Sequence, residues 1–180
     1  NIATLAKYNL RKILAHCPHC LNSLLKDYSQ LGGHYEVIHH TQLIDELITN
    51  KRITPKPRSV NESPLRVTYH DSCYLGRYND IFDPQRQVLQ SIGGVNLVEM
   101  ARSRETGLCC GGGGGRMWLE ENTGTRINNK RVEDVVAVNA QTVASACPFC
   151  MTMLDDGAKA LSVDEKIARK RPVQLAHGSA

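Results

Sequence analysis

Apolar positions along the chain alternate between short continuous runs and stretches with helical spacing, and this alternation sets the order of elements. Residues 12–16 (KILAH) read as a short buried strand ending at Cys17. From Leu21 to Tyr28 the apolar residues fall at helical intervals, and Gly32–Gly33 stops that helix. YEVIH, residues 35–39, is strand-like again. Thr41–Ile48 follows as an amphipathic helix, with Thr41 as N-cap and Leu43, Ile44, Leu47 and Ile48 on one face. Residues 51–64, with three prolines and many polar side chains, read as a linker. LRVTYH, residues 65–70, is a strand that delivers the chain to Cys73. A helix over Gln85–Ile92 closes at Gly93–Gly94 and leads into a strand over Val95–Met100. The glycine run Gly111–Gly115 precedes a predicted helix from Met117, and a longer helix is expected from about Gly124 to Asn139. Thr142–Ala146 is a strand leading to Cys147, and Met151–Leu161 is a final helix. Strands separated by helices of this length predict an α/β fold with a parallel sheet.

The pattern also repeats. ILAHCPHCLNSLLKDY around Cys17 aligns with VASACPFCMTMLDDGA around Cys147 at an offset of 130 residues. Each reads as apolar strand, Cys-Pro-x-Cys, then helix. Two related modules are therefore expected: residues 1–58 as the C-terminal remnant of a first and 59–180 as a complete second. Three further cysteines precede the second copy of the motif and none precedes the first.

Composition narrows the function classes. The 180 residues are 41% hydrophobic and 22% charged, and no apolar stretch is long enough to span a bilayer. The N-terminus has neither a signal-peptide layout nor a starting Met, so the chain reads as a fragment or processed piece. A net charge of +4 is mild, and its one basic cluster, Lys166–Arg171, lacks interleaved aromatics. That cluster reads as a solvated tail, and a nucleic-acid partner is not expected. Seven cysteines, an odd number with two adjacent, do not make a disulfide framework. Reduced thiols used as metal or cluster ligands, in a cytoplasmic setting, fit better.

Cys73 is followed by 35 residues, the pair Cys109–Cys110, 36 more residues and then Cys147-Pro-Phe-Cys150. Each of these falls at a predicted strand end or in the loop beyond it. The carboxyl ends of the strands of an open parallel sheet line one edge, where ligands bind. Three loops on that edge can converge five thiolates. A thiolate-only environment selects zinc, copper(I) or iron–sulfur clusters. Adjacent cysteines suit a polynuclear cluster better than one tetrahedral ion, because successive side chains diverge. Five ligands also exceed the four of an ordinary zinc or cubane site. Gly111, Gly112 and Gly113, directly after the pair, let the backbone pass close to a bulky cofactor and turn successive N–H groups toward sulfide or thiolate. The run is neither a P-loop nor a dinucleotide fingerprint.

HDSCYLGRYND, LCCGGGGGRMW and ACPFCMTMLDDG together resemble the CCG cysteine-rich domain, with its lone Cys, Cys-Cys-Gly and CxxC. That domain occurs in the B and D subunits of heterodisulfide reductases and in related iron–sulfur proteins. Through HCPHCLNSLLKDY, HHTQLIDELI and GRMWLEENTGTRIN the likeness is nearest to the C-terminal part of membrane electron-transfer-flavoprotein:quinone oxidoreductases. The resemblance implies Rossmann-like open, mostly parallel sheets and a 4Fe–4S-type cluster, non-cubane in form. By position its ligands are Cys73, Cys109, Cys110, Cys147 and Cys150. Cys17 and Cys20 match the CxxC of a first copy, whose site in the family can hold a cluster, a zinc ion or neither, so their role stays open. It also implies electron transfer between a flavoprotein or ferredoxin-type donor and a quinone or disulfide acceptor, as part of a larger enzyme on the cytoplasmic face of a membrane. After Leu161, where the family leads one to expect a strand and a helix, the sequence offers at most a strand at Pro172–Ala176.

Other residues carry weaker signals. His39–His40 reads as a hydrogen-bonded pair at a strand end. His70–Asp71 is either a loop cap or a donor tuning the cluster. His16 and His19 flank Cys17, and Arg77, Arg104 and Arg116 lie near the cysteine loops. Two competing functions remain: a zinc-stabilised module using Cys17, Cys20, Cys147 and Cys150, and a thiol–disulfide oxidoreductase using one CxxC.

Overall fold

The computed structural model describes every residue except Arg11, Val60, Glu121, Asn122 and 178–180. Helix α1 (Ile2–Leu5) leads to β1 (Ile13–Ala15), α2 (Pro18–Asn22), β2 (Val37–His39) and α3 (His40–Thr49). After the linker come β3 (Leu65–His70), α4 (Asp83–Gln90), β4 (Val95–Leu97), α5 (Ile127–Ala137), β5 (Thr142–Ser145), α6 (Pro148–Ala160), β6 (Ala168–Lys170) and α7 (Pro172–Ala176). Strands β1 and β2 pair in parallel, with Ile13 opposite Val37 and Ala15 opposite His39. The other four form a parallel sheet in the order β4–β3–β5–β6. The architecture is α/β with open parallel sheets, as the alternating pattern predicts.

Both faces of the four-stranded sheet are covered, so β5 is buried throughout and β3 is buried from Val67 to His70. Along β3, Val67 and Tyr69 point to one core, together with Ala144 of β5, Leu89 of α4, Ala15, Leu21 and Val37. This core joins the two sheets into one body, with α3, α4 and α7 packed against one another. On the opposite side Val143 meets Val132 and Val135 of α5 and Leu154 and Ala158 of α6. The chain leaves β3 toward β4 on one side and returns to β5 on the other. The strand order therefore reverses between β3 and β5, and a crevice opens beyond the carboxyl ends at such a point. Cys73 and Cys147 lie just past those two ends.

Several elements depart from expectation. Helix α2 starts at Pro18 rather than Leu21, because proline's fixed φ suits a first helical position. It continues as a π-turn over Ser23–Asp27 and a 3-10 turn to Leu31, ending at Gly32 with φ +82°. The N-cap of α3 is His39, not Thr41: the His39 N–H donates to Gln42 Oε1 at 2.9 Å, while the Thr41 N–H donates to His39 Nδ1 at 3.4 Å. No α-helix begins at Met117. Gly113–Trp118 is a 3-10 segment kinked where Gly114 and Gly115 take φ +63° and +75°. Pro172–Ala176 is a helix rather than a strand, and the last strand lies earlier, in β6. The basic run is not a solvated tail, since Arg169 donates to the Asp164 carbonyl at 2.6 Å and pairs with Asp155. Arg171 Nη1 meets His16 Nε2 at 2.9 Å.

Candidate metal centre

The repeated Cys-Pro-x-Cys motif folds the same way twice. Cys17 follows β1 and Cys147 follows β5, each as the extended N-cap of a helix with φ/ψ near −112°/131° and −124°/126°. Proline occupies the first helical position in both. The first cysteine of each pair thus sits where a helix presents unpaired N–H groups, which favour a thiolate.

The thiols form a row. Cys73 neighbours Cys109, Cys109 neighbours Cys110, Cys110 neighbours Cys150, Cys150 neighbours Cys147, and Cys147 neighbours Cys17. All seven cysteines are free. Cys73, Cys109, Cys110, Cys147 and Cys150 line one cavity of about 260 Å³ with Gly112–Gly115, Met117, Trp118, His19, Tyr74 and Phe149. The thiols shift one another in opposite directions along the row. Hydrogen bonds from Cys110 and Cys73 hold Cys109 well below the usual thiol range. Cys147, between Cys150 and Cys17, is held down in the same way. Their neighbours Cys73, Cys110, Cys150 and Cys17, acting as donors in partly or fully buried positions, are pushed up.

Cys17 reaches the end of this row from outside the cavity, and Cys20 is exposed and does not line it. The four sulfurs of Cys17, Cys20, Cys147 and Cys150 do not gather within 4.8 Å of one another. His19 bridges the row's end, with Nδ1 at 3.7 Å from Cys17 Sγ and 4.0 Å from Cys147 Sγ. Its ring packs on Tyr74 and edge-on to Phe149.

The glycine loop is built for close approach. Gly111 adopts φ +86°, and its N–H donates to Cys109 Sγ at 3.3 Å. A side chain at Gly112 would press on Met153 at 3.1 Å and lie 3.7 Å from Cys110 Sγ, whereas Gly113 borders open space. The adjacent pair thus share one cavity because the backbone turns immediately after them.

Buried polar contacts hold the cysteine loops. Asp71 accepts two hydrogen bonds from Arg86 at 2.7 and 2.9 Å, and Arg86 also pairs with Glu99 at 2.6 Å. The Arg104 N–H, at φ +54°, donates to Asp71 Oδ2 at 2.7 Å. Arg77 donates to the Gly107 carbonyl, and Arg104 pairs with Asp83 at 2.8 Å. The loop after β3 is thereby tied to the segment entering Cys109. His70 receives a hydrogen bond from Arg131 at 2.9 Å. Burial first, and then the Arg131 charge, keep its ring neutral down to about pH 3.

Residues 67–155 match the CCG cysteine-rich domain. Those residues form a CCG cysteine-rich domain. The chain is 46% identical over 177 residues to the probable iron–sulfur-binding oxidoreductase FadF of Bacillus subtilis, covering 97% of the chain and 24% of that protein. It is 40% identical over 173 residues to the EtfAB:quinone oxidoreductase of Syntrophomonas wolfei, covering 92% and 23%. Identity is 39% over 168 residues to one of the subunits of the dihydromethanophenazine:CoB–CoM heterodisulfide reductase of Methanosarcina barkeri, covering 91% and 40%. The chain spans about a quarter of the first two relatives, and these family members are oxidoreductases by name.

Sequence reasoning missed Arg86, Arg131 and the aromatic cavity wall. Arg131 lies in the polar run INNKRVED, which reads as a solvated helix face, yet it is fully buried. Tyr74 and Phe149 were visible as the residues immediately after Cys73 and Pro148. No helix among the described residues is long and apolar enough to cross a membrane.

Proposed function

We propose that Cys73, Cys109, Cys110, Cys147 and Cys150 bind a polynuclear iron–sulfur cluster through which this CCG domain passes single electrons. The observation that carries this reading is the thiol row: five cysteines from three separate loops line one cavity and neighbour one another in turn. A single ion needs its donors close together, and this row is too extended for one. A lining of five cysteines with no carboxylate suits a soft, multinuclear group. Five thiols favour a non-cubane 4Fe–4S form over a cubane, which uses four.

When bound, such a cluster supplies one-electron chemistry. The chain's own residues do the rest. Gly111 and Gly112 give the backbone close approach and an N–H donor to the sulfurs, and Gly113 leaves the mouth open. Tyr74, Phe149 and Met117 exclude water from part of the wall. By analogy with what the relatives' names state, the donor is a flavoprotein or ferredoxin-type domain and the acceptor a quinone or a disulfide. In this reading residues 59–180 form the second of two related modules, and residues 1–58 belong to the first. Cys17 of that first module meets the end of the thiol row at Cys147, and Cys20 is exposed outside the five-thiol cavity.

Anaerobic purification with iron and sulfide determination and EPR tests this. The expected result is iron with sulfide and a visible chromophore, lost in large part from single serine variants of any of the five cysteines. Cys20→Ser should keep the iron of the five-thiol site. Stoichiometric zinc without sulfide or visible absorption, unchanged in a Cys109→Ala/Cys110→Ala variant, would sink the reading. A zinc ion on Cys17, Cys20, Cys147 and Cys150 is the weaker alternative, because Cys20 is exposed and the four sulfurs do not gather.

A further inference from the structure

Arg131 and His70 meet in the interior between α5 and the end of β3, and both are buried. The Arg131 Nε–H donates to His70 Nδ1 at 2.9 Å. A guanidinium carries only donors and stays protonated, so the imidazole nitrogen facing it must offer a lone pair. With Nδ1 as acceptor, the neutral ring carries its hydrogen on Nε2. Arg131 is itself anchored, with Nη1 donating to the Arg102 carbonyl at 2.7 Å and to Asp134 Oδ2 at 3.0 Å. The direction of the contact is therefore fixed from outside the site.

A ring nitrogen of His70 and the sulfurs of Cys110 and Cys150 all lie within 4.8 Å of one another, a grouping that could hold a metal. That geometry allows two roles for His70, ligand or donor, and Arg131 decides between them. Ligation through Nε2 would require the hydrogen on Nδ1, setting N–H against N–H at the guanidinium. We propose that Arg131 locks His70 in the Nε2–H tautomer, so that His70 is no ligand but donates to the sulfur end formed by Cys110 and Cys150. His70 is then a positioning residue, and Arg131 acts through it. The inference rests on the cluster reading above and adds how the protein tunes that cluster. An N–H donor at a ligand sulfur withdraws charge and favours the reduced form, as does a buried guanidinium behind it.

The test uses the anaerobically purified protein labelled with ¹⁵N-histidine. Pulsed EPR of the reduced wild type should show weak nitrogen coupling to the cluster that disappears in His70→Leu. His70→Leu should retain iron and sulfide at wild-type levels. Its potential should fall enough to change the reduction equilibrium about tenfold, equivalent to about 59 mV for one electron. His70→Gln, which keeps an N–H donor, should recover part of that shift. In Arg131→Met, nitrogen NMR of the iron-free protein should show two tautomers in place of one. This measurement does not depend on the loaded site or on the folding of the His70 variants. Strong coupling from a directly bound nitrogen, loss of iron from His70→Leu, or an unchanged potential overturns the inference while leaving the cluster reading intact. Wild-type protein without iron and sulfide sinks that reading and this inference together.

Discussion

At the scale of single residues, the site depends on charges that water does not reach. Arg86 and Asp71 are both almost fully buried and make a two-pronged pair, with Glu99 completing the guanidinium's contacts. Such a pair adds little over an apolar filling, yet breaking it is expensive because the survivor is left charged and desolvated. Arg86→Met should therefore cost about 3–5 kcal/mol, read as a lowered urea midpoint. Since Asp71 also holds the Arg104 amide, the segment entering Cys109 should loosen, and iron retention should fall with it. The double variant Asp71→Asn/Arg86→Met removes the orphaned charge and should recover part of the stability. A single-variant cost below about 1 kcal/mol would mean that solvent reaches Asp71 after all.

At the scale of elements, the spacing of α5 and α6 is set by a glycine. A β-carbon on Gly157 would sit 2.9 Å from the Asn128 carbonyl oxygen and 3.0 Å from Val132 Cγ2. Alanine gains about 1 kcal/mol of helix propensity over glycine, but forcing packed helices apart costs about 1–3 kcal/mol. Because the obstacle is backbone, the second effect should win, and Gly157→Ala should lower the thermal midpoint. Asn128 Nδ2 donates to the Met153 carbonyl at 3.2 Å, and Met153 lies against Gly112, so the same shift should disturb the glycine loop. The elements differ in how openly the sequence announces them. β3 is legible because LRVTYH is a β-rich run bounded by a proline and a polar loop, and the cysteines mark where strands end. β6 is not legible, since Ala-Arg-Lys has no apolar pattern and is fixed by pairing with β5, where the Ala168 N–H donates to the Gln141 carbonyl at 2.9 Å. The expected helix at Met117 fails because positive φ at Gly114 and Gly115 is a property of the folded loop. For the same kind of reason the convergence of five thiols could be anticipated from their spacing, while the pairing of Arg131 with His70, 61 residues away, could not.

At the scale of the whole molecule, the seam between the two sheets holds histidines that burial keeps neutral. His39 is fully buried at the end of β2. Its Nε2 and both ring nitrogens of His40 find no hydrogen-bond partner among the described residues. The two rings lie 4.2 Å apart, and His16 stands 5.8 Å from His40. Burial, and then the neighbouring positive groups, lower His39 to about 3 and His40 to about 4. For His39 the neighbours are His40 and His16, with Cys147 acting the other way; for His40 they are His16 and Arg171. An unfolded histidine takes its proton near pH 6.5, so below that value the unfolded chain binds more protons than the native one. Stability is therefore complete above about pH 7 and is lost as pH falls toward 4. Each histidine contributes a slope of up to about 1.4 kcal/mol per pH unit. Together they should remove roughly 4 kcal/mol between pH 7 and pH 5, a large share of a typical domain's stability. His40→Leu isolates one of them. It removes two unpaired buried nitrogens, so the variant should be at least as stable as the wild type at pH 7. Its urea midpoint should also fall less steeply below pH 6.5. An acid limb of unchanged slope in that variant would show that His40 is protonated within the native seam.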